Sequence, residues 1–329
     1  MTGPGWMPIA PPSIGRMLLW HPQPIPVFPL LCLLAALLYG AGIYRLHRRG
    51  DRWPLGRAAA FMIGLGLVLE VTATGVGGYG MRLLSVHMVQ HMTLSLLAPV
   101  PLLLGAPITL ALRALRPAAR GHRGPREWLV TALHSRPARV LTSGLFTLPL
   151  FIASLYGLYF TPLFGILMRT WWGHDVMLAH FLIVGLLFFY PLLGVDPAPR
   201  RPQPVLGILE LLAGMPFHAF FGIAVMMSSA LIAPFFGHVL PATWPASALG
   251  DQRTAGGITW AFGEIPTVLV LLVLAAQWRR ADHRAAARAD RAADRDQDAE
   301  LAAYNQHLAR LARRDDPGAP SRGPRENPA

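Results

Sequence analysis

Seven runs of about 20 mainly apolar residues follow one another along the chain, at 27–46, 57–76, 83–104, 138–160, 174–194, 205–233 and 257–278. A run of that length crosses the hydrocarbon of a bilayer as a helix, because a spanning helix satisfies all of its own backbone hydrogen bonds. The chain therefore reads as all-α, a polytopic membrane bundle of about seven transmembrane helices. Composition agrees. Hydrophobic residues make up 53% of the chain and charged residues 14%, whereas soluble domains carry about 25% charge. The runs consume most of the 329 residues and leave no space for a separate soluble domain.

The net charge is +12, and arginine supplies every basic residue. The arginines gather in alternate connections. One group is Arg45, Arg48, Arg49, Arg52 and Arg57; the next is Arg113, Arg116, Arg120, Arg123, Arg126, Arg136 and Arg139; a third is Arg200 and Arg201, before an arginine-rich tail. The intervening connections hold Arg82, Arg169 and Arg253, one each. The positive-inside rule then sets the N-terminus outside and the C-terminus in the cytoplasm, in the cell (plasma or inner) membrane. The high isoelectric point reflects these loops, with no nucleic-acid interface. This reading divides the chain into an extracytoplasmic segment 1–26, a transmembrane domain 27–278, a charged cytoplasmic helix 279–314 and a disordered tail 315–329. Leu301, Tyr304, Leu308 and Leu311 form a narrow apolar stripe on that charged helix, which reads as solvated. The N-terminus lacks the basic region and small-residue cleavage site of a signal peptide, so the first run is expected to be retained. Cys32 is the single cysteine, which excludes an internal disulfide and a Cys-x-x-Cys site. No phosphate-binding loop, nucleophile elbow or zinc-protease pair occurs, so the chain is not read as an enzyme. Gly75, Gly77, Gly78 and Gly80 read as a flexible outer loop.

Ionisable residues inside spans cost about 2.5–3.5 kcal/mol even on lenient scales, so each calls for a partner or a function. The third run opens Ser-Val-His-Met-Val-Gln-His-Met, residues 85–92. His87 and His91 are four apart and share a helix face, with Met88 and Met92 in a row beside them. Imidazole and thioether donors together suit Cu(I), whereas hard cations take oxygen ligands. In the fifth run His174 and Asp175 come first and His180 follows on another face. His174 reads as an interfacial residue beside Trp171 and Trp172, and His180 as the core candidate. The sixth run carries Gly-Met-Pro-Phe-His, residues 214–218. Pro216 is expected to kink the helix and aim Met215 and His218 inward; Met226 and Met227 return to the depth of the third-run pair. Glu70 and Glu264 lie near the level of His91. They either balance the charge of a bound cation or stay protonated and bond across helices.

Several blocks together resemble one family. They are His-Met-Val-Gln-His-Met (87–92) leading into Ala-Pro-Val-Pro-Leu-Leu-Leu-Gly-Ala-Pro (98–107), His-Asp-Val-Met-Leu-Ala-His (174–180), Tyr-Pro-Leu-Leu-Gly-Val-Asp-Pro (190–197), and Met-Pro-Phe-His-Ala-Phe (215–220). Asp-Gln-Arg-Thr-Ala-Gly-Gly-Ile-Thr-Trp (251–260) and Gly-Glu-Ile-Pro (263–266) complete the set. The chain is similar to the CtaG-type cytochrome c oxidase assembly factors of the multi-span membrane type, over about residues 25–310. The resemblance implies a membrane factor for haem–copper oxidase biogenesis, acting with oxidase subunits on the copper centre beside the active-site haem. The expected function is transient Cu(I) binding in the outer half of the bundle by His87 and His91. Met88, Met92, His180 and His218 are further ligands, and Glu70 and Glu264 balance charge. A b-type haem protein with His91 and His180 as axial ligands and a copper exporter or channel are the alternatives.

Overall fold

In a computed structural model, residues 5–119, 122–170, 172–199, 204–295 and 299–314 are described. Arg120, Trp171, Arg200, Arg201 and the tail 315–329 lie outside them, as does the side chain of Glu264. Every regular element among the described residues is a helix, apart from one isolated bridge between Trp20 and Thr74. Five helical stretches are long and apolar enough to cross a membrane, or six if a bent pair counts as one span. The chain is a multi-pass helical membrane protein.

The first two spans are α1 (Val27–His47) and α2 (Leu55–Ala73). The third run is segmented into α3 (Leu84–Met92), a π-helical turn (Thr93–Leu97), α4 (Pro99–Leu104) and α5 (Pro107–Ala114). Pro99 and Pro101 have no N–H with which to continue the ladder. The Ala98 N–H instead reaches back five residues to the Thr93 carbonyl, at 2.8 Å. Wide turns of this kind gather at functional sites. Asp196, from beyond the fifth run, caps α5 by accepting from the Ile108 and Thr109 amides at 3.2 and 2.8 Å.

The run at 138–160 also divides. A short helix, Arg136–Leu141, precedes α6 (Gly144–Tyr159), and α7 (Leu163–Arg169) then turns away by 69°. Pro162 marks the bend, and the Thr161 hydroxyl accepts from the Leu163 amide to start α7. Next come α8 (Gly173–Leu193) and α9 (Pro204–Met227), the latter helical through Pro216. The run at 257–278 is interrupted at Gly263, between α10 (Ala248–Phe262) and α11 (Glu264–Arg295). Helix α10 therefore starts well before that run and carries Asp251 and Gln252 into the bundle.

Close packing rests on small residues, as it does between membrane helices generally. A Cβ at Gly222 would come within 2.8 Å of the Gly256 carbonyl, and one at Gly256 within 2.5 Å of the Met226 amide. Helices α9 and α10 thus meet backbone to backbone. At Gly185 of α8 a Cβ would stand 2.3 Å from the Ser95 carbonyl of the π-helical turn.

The glycine loop expected to be flexible is a short buried helix, Gly75–Tyr79. The N-terminal segment lies directly on it. Trp6 stacks on His21 at 3.7 Å, the Tyr79 hydroxyl donates to the Ala10 carbonyl at 3.0 Å, and the Arg16 carbonyl abuts Gly75.

The chain divides after Leu274 into two compact units. The second includes α12 (Ala299–Arg314), whose Leu301, Tyr304, Leu308 and Leu311 are exposed.

Candidate metal centre

The N-terminus of α3 is the platform. The first amides of a helix have no partner within it. Here the Asp251 carboxylate, brought by α10, accepts from the Leu84 amide at 2.6 Å, the Ser85 amide at 3.3 Å and the Ser85 hydroxyl. This cap fixes the end of α3, and His87 and His91 follow on one face.

His87 is wholly buried, and neither ring nitrogen finds a hydrogen-bond partner within the protein. Its surroundings are aromatic: Phe164 at 5.3 Å between ring centroids, with Tyr159, Phe181 and Phe236 each at 6.0 Å. The nearest imidazole recorded beside it is His174, at 5.8 Å. Buried polar atoms are nearly always bonded, so a doubly unpartnered imidazole has the character of a ligand waiting for an acceptor of its lone pair. His91, one turn deeper, packs on Phe181 at 4.0 Å, and its Nδ1 lies 3.2 Å from the Tyr159 hydroxyl. Its ring is 6.3 Å from that of His218.

Of the two fifth-run histidines, His174 is the more deeply buried. His174 is buried, with Nε2 unpartnered, rather than interfacial. Gly173 explains this: a Cβ there would stand 1.9 Å from the Leu167 carbonyl, so α7 presses on the first turn of α8 and holds His174 against α3. His180 lies six residues on, about 240° around the helix. It is only partly buried and its Nε2 sits 2.6 Å from the Ser154 hydroxyl of α6.

His218 is also buried with Nε2 unpartnered. It borders a cavity of about 270 Å³ lined chiefly by Phe151, Phe188, Phe189, Met215 and Trp260. Met88 and Met92 are both fully buried but belong to different apolar clusters, one with Phe236 and Met177, the other with Val184 and Val270. Met92 is the one beside His218: a Cβ at Gly263 would lie 3.9 Å from the Met92 Cε and 3.8 Å from the His218 Cβ. Met227 is exposed and stands apart. Glu70 keeps one carboxylate oxygen buried without a partner, and Glu264 opens α11 with its side chain outside the described residues.

Among the described residues no three His, Cys, Asp or Glu side chains converge tightly enough to chelate one ion. What converges is paired imidazoles in an aromatic shell. Sequence reasoning missed three groups. Asp251 and Asp196 cap α3 and α5 from distant helices, and nothing local in the sequence pairs them with those ends. Glu210 accepts a 2.8 Å hydrogen bond from the Thr147 hydroxyl; an acidic residue inside the sixth run was the available signal.

Fold and site together define a polytopic helical membrane protein with a buried cluster of soft and imidazole donors. The family model for the cytochrome c oxidase caa3 assembly factor (Caa3_CtaG) matches residues 37–281, and the chain belongs to that family. It is similar to uncharacterized proteins of Mycobacterium bovis and Mycobacterium tuberculosis, each 44% identical over 308 residues, 92% of this chain and 46% of the relative. A Mycobacterium leprae protein, also uncharacterized, is 47% identical over 279 residues, 84% of this chain and 42% of that one. The chain thus spans less than half the length of these curated relatives. No solved structure matches it.

Proposed function

We propose that this chain serves the assembly of a haem–copper oxidase in the cell membrane by holding Cu(I) in its buried histidine cluster and passing it to oxidase subunits. The copper is cargo, and the protein is a chaperone for it without being an enzyme. In this reading the bundle has seven spans, N-terminus outside, so that the start of α3 lies in the outer half.

The observation that carries the reading is His87, fully buried with both ring nitrogens unpartnered. Leaving such a group dry costs about 1–3 kcal/mol, and a monovalent soft cation on the lone-pair nitrogen relieves part of that cost with little charge to bury. The donors fit: imidazoles from α3, α8 and α9, with the Met92 thioether adjacent, form a set suited to Cu(I). The aromatic wall of Phe164, Phe181 and Phe236 would exclude water from the ion. His91, His174 and His218 hold and orient, and Asp251 fixes the helix that presents His87 and His91.

The test is genetic. Oxidase activity in membranes of a deletion strain should be low, should return with the wild-type chain, and should stay low with the His87→Ala/His91→Ala variant expressed at equal level. Full activity in the deletion strain, or full rescue by the double variant, would refute the proposal.

A further inference from the structure

The four buried histidines are arranged as two pairs, and we infer that each pair is a separate Cu(I) station: an outer one of His87 and His174, and an inner one of His91, His218 and Met92. This rests on the copper reading above and specifies how the site works.

Spacing is the first argument. A ring nitrogen coordinates an ion at about 2 Å, which sets the centroids of two imidazoles sharing one ion about 6 Å apart. His87 and His174 are 5.8 Å apart, and His91 and His218 are 6.3 Å apart. Both distances match before any movement of the chain. Unsatisfied donors are the second argument. His87 contributes two unpartnered nitrogens, His174 one and His218 one, all on side chains at least nine-tenths buried. His180, by contrast, already has a hydroxyl partner in Ser154. Chemistry is the third. No carboxylate is recorded in contact with either pair among the described residues, which disfavours a hard divalent ion and suits a monovalent soft one.

His87 and His91 are successive residues of one helical row, so the stations lie about one turn apart. Two cations that close in a low-dielectric interior repel strongly, so one ion occupies the pair of stations at a time. An ion moving from outer to inner station exchanges His87 and His174 for His91 and His218 and gains the Met92 thioether, with no change of oxidation state. The inner station borders the cavity beside Met215 and Trp260. The π-helical turn directly after Met92 gives this part of the row a wide, adjustable backbone.

The experiment is a Cu(I) competition titration with X-ray absorption on detergent-purified full-length chain, with Cu(I) alone as the probe. His174→Ala and His218→Ala should each retain one ion; because the two stations share that ion, their association constants sum to the wild-type value, so at least one of the two variants should bind within about twofold of wild type. His174→Ala should shift the ion to a nitrogen-plus-sulfur environment, and His218→Ala to nitrogen only. The combined variant should lose binding, and His180→Ala should match wild type. His174→Met and His218→Met, which keep a soft donor, should restore affinity and serve as controls for folding. Loss of all binding in His174→Ala with retention in His174→Met would mean one shared site and overturn the inference. Wild-type binding by the combined variant would overturn it as well. Failure here is separable from failure of the oxidase reading. Copper bound by the pairs, alongside a normally metallated oxidase in the deletion strain, would refute only the oxidase role.

Discussion

Replacing Asp251 by alanine should damage the proposed copper site without touching a ligand. The carboxylate is the only recorded partner of two amides at the start of α3 and also receives the Ser85 hydroxyl. Loss of an N-cap costs about 0.5–2 kcal/mol. Leu84 and Ser85 are both buried, so each orphaned amide adds about 1–3 kcal/mol where no water reaches it. With partial relaxation the sum is about 2–5 kcal/mol. For a protein of this size that corresponds to a fall in melting temperature of roughly 3–7 °C, measured by thermal denaturation in detergent. Cu(I) affinity should fall with it, because His87 and His91 ride on the frayed helix. Asp251→Asn keeps one accepting oxygen and loses the charge facing the helix dipole, about 0.3–1 kcal/mol, so it should be mild. Ser85→Ala should be non-additive with Asp251→Ala, since both delete the same contact. An Asp251→Ala protein with wild-type melting and wild-type copper affinity would refute the capping argument.

Gly185→Ala should sharply reduce folded protein recovered by size-exclusion chromatography, because even a methyl group would meet the Ser95 carbonyl at 2.3 Å. Gly256→Val should do the same at the α9–α10 contact, whereas Gly66→Ala, where nothing lies within 4 Å of the added carbon, should be neutral. Glu210→Gln should keep near wild-type stability, since its amide oxygen still accepts from Thr147, and Glu210→Leu should lower the melting point. Reporter fusions after Arg123 should give a cytoplasmic signal, and fusions after Gly78 and Gly250 an external one; a reversal of any of these breaks the seven-span topology.

Hydropathy made the helical membrane class legible, because length and apolarity are local properties of a run. The breaks were less legible. Pro99 and Pro101 were visible, but the π-helical turn depends on which carbonyl the Ala98 amide finds, and Gly185 of another helix pressing on that turn cannot be read from its own neighbourhood. Helix α10 escaped because Asp251, Gln252 and Arg253 dilute its hydropathy, although all three precede an apolar stretch. The His87–His91 row was legible from its spacing of four, and the structure adds its partners. His174 looked interfacial beside two tryptophans; its burial follows from the packing of α7 on Gly173, a tertiary contact. His218 was singled out by the block around Pro216, yet its pairing with His91 required the relative rotation of two helices, which sequence periodicity does not set.

The central claim is that copper delivery to an oxidase depends on this chain. The most direct measurement is the copper-to-haem ratio of the oxidase purified from a deletion strain. The account predicts subunits and haem present with copper below the wild-type ratio, restored by the wild-type chain and not by the His87→Ala/His91→Ala variant. A normal copper-to-haem ratio with normal turnover in the deletion strain would contradict it.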